Sequence, residues 1–172
     1  MTRKRTAIFL LLIISTLIVY YFFPEKKLDT NKTIDKIVVL KSKRILQVYS
    51  NNELLKEYKI SLGRKPIGAK HFEADDKTPE GKYIINNKNP NSGYHLNLGI
   101  SYPAKADILF AQSKGKHPGG LIKIHGLKND LGFIGKFHRW FDWTHGCIAL
   151  TNKEIEELYR NVKIGTAIEL RE

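Results

Sequence analysis

The sequence predicts a mainly β domain with one late amphipathic helix, preceded by an N-terminal transmembrane helix. Three observations carry that expectation. Residues 6–23, TAIFLLLIISTLIVYYFF, form an uncharged run of 18. From residue 34 onward the apolar residues come in short, β-branched, partly alternating runs separated by turn formers. Residues 151–162 then show apolar positions at helical spacing behind a capping signature.

The apolar run follows RKR at 3–5 and precedes PEKK at 24–27. As a helix it would extend about 27 Å, close to the hydrocarbon thickness of a bilayer. The Tyr and Phe residues at its end suit the membrane–water interface. A cleavable signal peptide is the alternative, but it needs small residues at a cleavage site, and VYYFFP at 19–24 is bulky throughout. The expected layout is a cytoplasmic tip at 1–5, a transmembrane anchor at 6–23, a polar tether at 24–33 and a folded domain at 34–172. Because positive flanks resist translocation, the expected location is the inner (cytoplasmic) membrane, single-pass, with the domain on the periplasmic, extracytoplasmic side.

Within the domain, residues 34–40 and 44–49 read as a β-hairpin, and 54–62 as a third strand ending at Gly63. Residues 63–81, GRKPIGAKHFEADDKTPEG, are aperiodic and rich in Gly, Pro, Asp and Lys. A loop of that length inside a compact domain is usually either functional or disordered. Strands are expected at 82–86, 94–100 and 121–124, the last delivering His125 and Gly126. Thr151-Asn152-Lys153-Glu154 fits a capping box, and Ile155, Leu158, Tyr159 and Val162 make one stripe. Gly165 is expected to stop this helix, and 167–170 closes the chain as a strand.

The formal net charge is +12, with 29 Lys and Arg against 17 Asp and Glu. A basic surface of this kind suits anionic lipid or an anionic envelope polymer. No zinc-finger spacing and no helical Arg/Lys stripe with interleaved aromatics is present, so nucleic acid is not an expected partner. Cys147 is the single cysteine. Exported proteins normally use cysteines in disulfide pairs, so a lone thiol in that compartment suggests either deep burial or reactivity.

A thiol nucleophile needs a proton acceptor, oxyanion donors and room for an acyl group. Free cysteine, with a pKa of about 8.5, is mostly protonated at neutral pH. His125, His138 and His145 are the candidate bases, and His125, arriving on a buried strand, is the first choice. Gly146 lets a carbonyl approach the N–H groups of Gly146 and Cys147, a simple oxyanion hole. On this reading Cys147 alkylates quickly at neutral pH, and His125→Ala slows it.

His125-Gly126 followed downstream by THGCIAL at 144–150 resembles the signature of the L,D-transpeptidase catalytic domain, the YkuD-type family. GRKPIGAK at 63–70, DKTPEGKY at 76–83, YHL at 94–96 and ISYP at 100–103 are also similar to it, and the resemblance runs from about 37 to 170. It implies a mixed β-sandwich and a cysteine-dependent acyl transfer on peptidoglycan stem peptides. Cys147 would attack a stem-peptide carbonyl beside meso-diaminopimelate, release D-alanine and hold a thioacyl group. An amine acceptor then completes a cross-link or attaches an envelope lipoprotein; water gives hydrolysis.

His125 matches the family's base, oriented by a backbone carbonyl, here that of Gly126. His145 and Gly146 match the oxyanion segment, although His145 could equally be a packing residue; Trp143, Thr144, His138 and Tyr94 are the candidate substrate contacts, with a structural role the alternative for His138 and a core position the alternative for Trp143. No metal and no cofactor is implied. Two departures stand out: Ala149 replaces the Arg or Asn usual two residues after the cysteine, and the segment between His125 and Thr144 is longer than usual. The aromatic, basic insertion at 133–143 resembles a subgroup with DWT, GC, I and A, some of whose members are envelope amidases or hydrolases. A hydrolase or amidase on the same fold is therefore the alternative activity. A zinc enzyme is disfavoured by the H-x-C spacing, and an inert wall-binding module would carry an unreactive thiol. Trp140 and Phe141 fit a peptide groove or a core. Asp75, Asp76 and Glu80 read as turn caps or solvated residues rather than a cation site.

Overall fold

The computed structural model describes residues 3–29 and 32–172; residues 1–2 of the expected tip and 30–31 of the expected tether lie outside it. In helix α1 (Arg3–Phe22) the most apolar stretch of 18 residues has a mean hydropathy of 2.0, and none of it is buried within the protein. A core helix would be covered on at least one side. This one is long and apolar enough to cross a membrane.

Among the described residues eight strands follow in one mixed sheet: β1 (Lys36–Leu40), β2 (Ile45–Ser50), β3 (Glu53–Lys59), β4 (Gly81–Ser92), β5 (His95–Ile100), β6 (Lys123–His125), β7 (Ile148–Ala149) and β8 (Ala167–Arg171). Their spatial order is β3-β2-β1-β8-β4-β5-β6-β7. β1–β8 and β6–β7 are parallel and the other pairs antiparallel. The long β4 joins two halves: Gly81 to Ile84 pair with β8, and after a register shift Asn87 to Asn89 pair with β5. Beyond β3 the chain crosses to the far end of this order, where Ser61 bridges Ala149 and Gly63 bridges Thr144. The sheet thus folds back on itself and buries its inner face.

The core follows from the alternation. In β2, Leu46 and Val48 point inward, and in β8 Ile168 and Leu170 do. Ile85, Leu98, Ile124 and Ile148 join them from the other half. Each such side chain contributes about 1.5–3 kcal/mol when fully covered.

Helix α3 (Asn152–Asn161) seals one side. Thr151 caps it: its hydroxyl accepts from Glu154 N at 3.4 Å, and Glu154 Oε2 accepts from Thr151 N at 3.1 Å. Ile155 and Leu158 are buried below it. The helix ends at Val162, in extended geometry, because Val162 itself enters the core. Gly165 lies past the end and donates its N–H to Ile85, so it is not the stop signal.

Two elements were not expected. Helix α2 (Lys105–Ser113) buries only Ala111 and so has little apolar stripe to betray it. A 3-10 segment (Gly132–Trp140), interrupted at Gly135 with φ 51°, occupies the aromatic insertion.

Candidate active site

Cys147 stands one residue before β7, and His125 closes β6. The parallel register sets Ile124 opposite Ile148 and His125 opposite Ala149, which brings Lys123 level with Cys147. Alternate residues share a face, so Lys123, His125 and Cys147 all line one cleft. Its volume is about 510 Å³, and Tyr94, Trp143, Thr144, His145 and Arg64 also line it.

His125 is buried, and its Nδ1 sits 2.7 Å from the carbonyl oxygen of Gly126. A carbonyl can only accept, so Nδ1 carries the proton and Nε2 keeps a lone pair. Tyr94 and Trp143 flank the ring at centroid distances of 4.7 and 5.7 Å. Burial pulls the imidazole pKa down to about 4, partly offset by the Gly126 bond. Burial likewise pushes the half-buried Cys147 thiol above its ordinary value, against the pull of nearby Lys123. The thiol donates to Leu121 O at 3.7 Å. At neutral pH, then, the site rests as a neutral thiol beside a neutral ring.

The turn that presents the thiol is stapled internally. Thr144 Oγ1 donates to Cys147 O at 2.7 Å and accepts from Gly146 N at 3.1 Å. Thr144 N–H donates to Leu62 O, and Thr144 O accepts from Arg64 N. This corrects the expectation for Gly146: its N–H is already engaged, and the Cys147 N–H is the one that takes no part in these bonds. Gly146 serves by lacking a side chain. Its φ is +121°, and a Cβ there would lie 2.4 Å from Lys77 O. Gly63 packs against it, with a Cβ position only 3.0 Å from Gly146 Cα and 2.2 Å from Asp76 O. The long loop at 63–81 is therefore the seat of the cysteine turn.

His145 is largely exposed and pairs through Nδ1 with Asp76 at 2.7 Å, which holds the Asp76 carboxyl below its usual range. It lies at the cleft mouth. His138 corrects a second expectation, because it does not line the cleft. It is buried behind Trp143, with Nδ1 3.1 Å from Ser61 Oγ, and Ser61 Oγ donates to His138 O at 2.9 Å. Ser61 spends its one hydrogen there, so His138 Nδ1 is the donor of the first bond. Burial takes its pKa down to about 3. Asp75 caps the loop, accepting from Lys70 and from the N–H groups of His71, Phe72 and Lys77. Glu80 pairs with buried Lys41. Among the described residues no group of three His, Cys, Asp or Glu is placed to hold a metal.

Sequence reasoning missed part of the wall. Lys123 was legible in principle as the residue two before His125 on a strand. Arg64, Asn89 and Asn91 gave no chemical signal, since polar residues in loop-like stretches resemble any solvated surface.

Residues 34–170 match the YkuD, L,D-transpeptidase catalytic domain. YafK of Escherichia coli (strain K12), named for that activity, is 30% identical over 132 residues, covering 73% of this chain and 46% of YafK. YqjB of Bacillus subtilis (strain 168), similarly named, is 26% identical over 137 residues, covering 77% of this chain and 68% of YqjB. Among solved structures, the helical cell shape determining protein Pgp2 from Campylobacter jejuni superposes with a TM-score of 0.62 at 30% identity, covering 83% of this chain and 49% of Pgp2. The chain spans about half the length of YafK and of Pgp2. With a match across the whole strand-bearing region and the same fold in a solved relative, the chain belongs to the L,D-transpeptidase catalytic domain family.

Proposed function

We propose that this protein is a cysteine-dependent acyltransferase acting on peptidoglycan stem peptides, with residues 34–172 as the catalytic unit. Residues 6–23 hold it in the inner membrane as a single-pass anchor, residues 1–5 stay cytoplasmic, and residues 24–33 tether the domain on the periplasmic side. The observation that carries the reading is that Cys147 and His125 open onto one cleft, with Nδ1 committed to Gly126 O so that Nε2 keeps a lone pair to act as a base.

As Sγ of Cys147 closes on the diaminopimelate carbonyl, its proton passes to Nε2 of His125. The oxyanion is met by the Cys147 N–H, a contact of a kind worth about 3–4 kcal/mol of barrier. Nε2 then returns the proton to the departing D-alanine nitrogen, leaving a thioester. An acceptor amine repeats the sequence in reverse, losing its proton to His125 and restoring the thiol. Water in place of the amine gives hydrolysis. Arg64 and Lys123 make the cleft wall positive, which suits the carboxylates of a stem peptide. They supply charge on a face where Ala149, fully buried in its bridge to Ser61, offers none. Similarity to Pgp2, named for determining helical cell shape, supports a part in wall remodelling.

The test is to incubate the protein, and its Cys147→Ala variant, with disaccharide tetrapeptides and read product masses. Cross-linked dimers or D-amino-acid exchange are expected from the wild type. Tripeptides alone would assign the hydrolase activity instead. Equal products from both proteins would end the thiol mechanism.

A further inference from the structure

The end of α1 does not hang free of the domain. Tyr20 Oη donates to Lys136 O at 3.3 Å and Tyr21 Oη to Phe133 O at 2.8 Å, and Lys136 Nζ returns a bond to Tyr20 O at 3.4 Å. Tyr20 packs against Phe137 and Trp140 at centroid distances of 5.7 and 6.0 Å. Glu25, just beyond, accepts from Arg139 at 3.0 Å, and Arg139 also binds Glu154 at the start of α3. The 3-10 segment is thus fixed to the last turn of α1. If α1 spans a bilayer, its last turn lies at the level of the lipid headgroups, some 25–30 Å from its basic start.

That same segment exposes large apolar side chains. Phe133 is 71% exposed, Trp140 54% and Phe141 70%, beside Phe22 at 75% and Phe23 at 65%. Trp favours the membrane–water interface, and the wholly apolar Phe rings beside it gain by leaving water for the acyl boundary. Lys26 and Lys27 follow directly after Glu25, Lys26 Nζ donating to Leu55 O at 3.4 Å, so the start of the tether is also held against the domain. The other end of the segment is rigid: Arg44 grips Asp142 with contacts of 3.0 and 2.8 Å, and Trp143 follows in the cleft wall.

We propose that the catalytic domain rests on the outer leaflet of the bilayer through Phe133, Trp140 and Phe141, so that the cleft is held at a fixed height and orientation over the membrane. The occupant is the phospholipid interface itself, because the surface is continuous with a helix end that already lies there. The proposal goes beyond the acyl-transfer reading and does not depend on it, though it rests on α1 spanning the membrane.

Fluorescence quenching by lipids brominated near the headgroup tests it, using the full chain in phosphatidylethanolamine/phosphatidylglycerol vesicles. The protein has two tryptophans. In a Trp143→Phe background the remaining Trp140 should be quenched at least about two-fold. In a Trp140→Phe background Trp143 should keep its intensity. A third variant, Leu12→Trp with both native tryptophans changed to Phe, reports insertion of α1 through lipids brominated near the ends of their acyl chains, since residue 12 lies close to the middle of the span. Quenching there without quenching of Trp140 overturns the docking alone, and would mean that water or another protein covers the patch. No quenching of the Leu12→Trp variant overturns the membrane span and the docking together.

Discussion

Burial decides the chemistry of the pair at the cleft. Free imidazole and free thiol would each titrate near enough to neutrality for a standing ion pair; here desolvation pushes both toward their uncharged forms. Cys147 is therefore expected to alkylate slowly at neutral pH, not quickly as the motif alone suggests, and to speed up only in alkali. On the proposed mechanism His125 must be uncharged, and with its pKa near 4 it stays so through the mildly acidic range. The acid limb of kcat/KM should accordingly lie near pH 4. A limb near 6.5 would show that the ring is solvated in the working enzyme. Cys147 and His125 were both legible in the sequence, since a lone cysteine after His-Gly and a distant His-Gly form a chemical pattern. The engagement of the Gly146 N–H was not, because Thr144 reaches it through a turn geometry that residue order does not disclose.

Strands and helices were legible in proportion to how much of them is buried. α3 announced itself through Thr151, Glu154 and its apolar stripe. Thr151→Ala should lower stability by about 1 kcal/mol, seen as a shift in the urea midpoint with unchanged slope; no shift would mean that the cap is redundant with core packing. β4 was foreseen only as far as residue 86, because its second half, NKNPNS at 87–92, is polar and contains a proline. Those residues border an open cleft and can stay polar: Asn89 and Asn91 line it, and none of residues 86–92 is buried. α2 and the 3-10 segment escaped notice for a related reason. α2 buries one residue, and the Gly135 backbone breaks any regular period in the other.

For the molecule as a whole, the two buried imidazoles couple stability to pH. His125 and His138 titrate near 4 and 3 when folded and near 6.5 when exposed. Between those values the unfolded chain binds more protons, so stability is fully present above pH 6.5 and falls as acid is added toward pH 4. The loss should be on the order of a few kcal/mol, measurable as a lower urea midpoint at pH 5 than at pH 7. A midpoint constant across that interval would show that both rings accept protons without leaving their sites. Carboxylates held low, such as Asp75 and Glu157, lose their share only at lower pH.

The sheet order has a consequence for how such a chain matures. β8 lies between β1 and β4, and the cysteine turn closes onto residues laid down some eighty positions earlier. A polypeptide emerging amino end first, from a ribosome or a translocation pore, therefore presents the 61–63 seat and His125 before it presents the thiol. On the proposed mechanism, sulfur and imidazole meet only once the turn at 144–147 has docked on a loop already waiting for it.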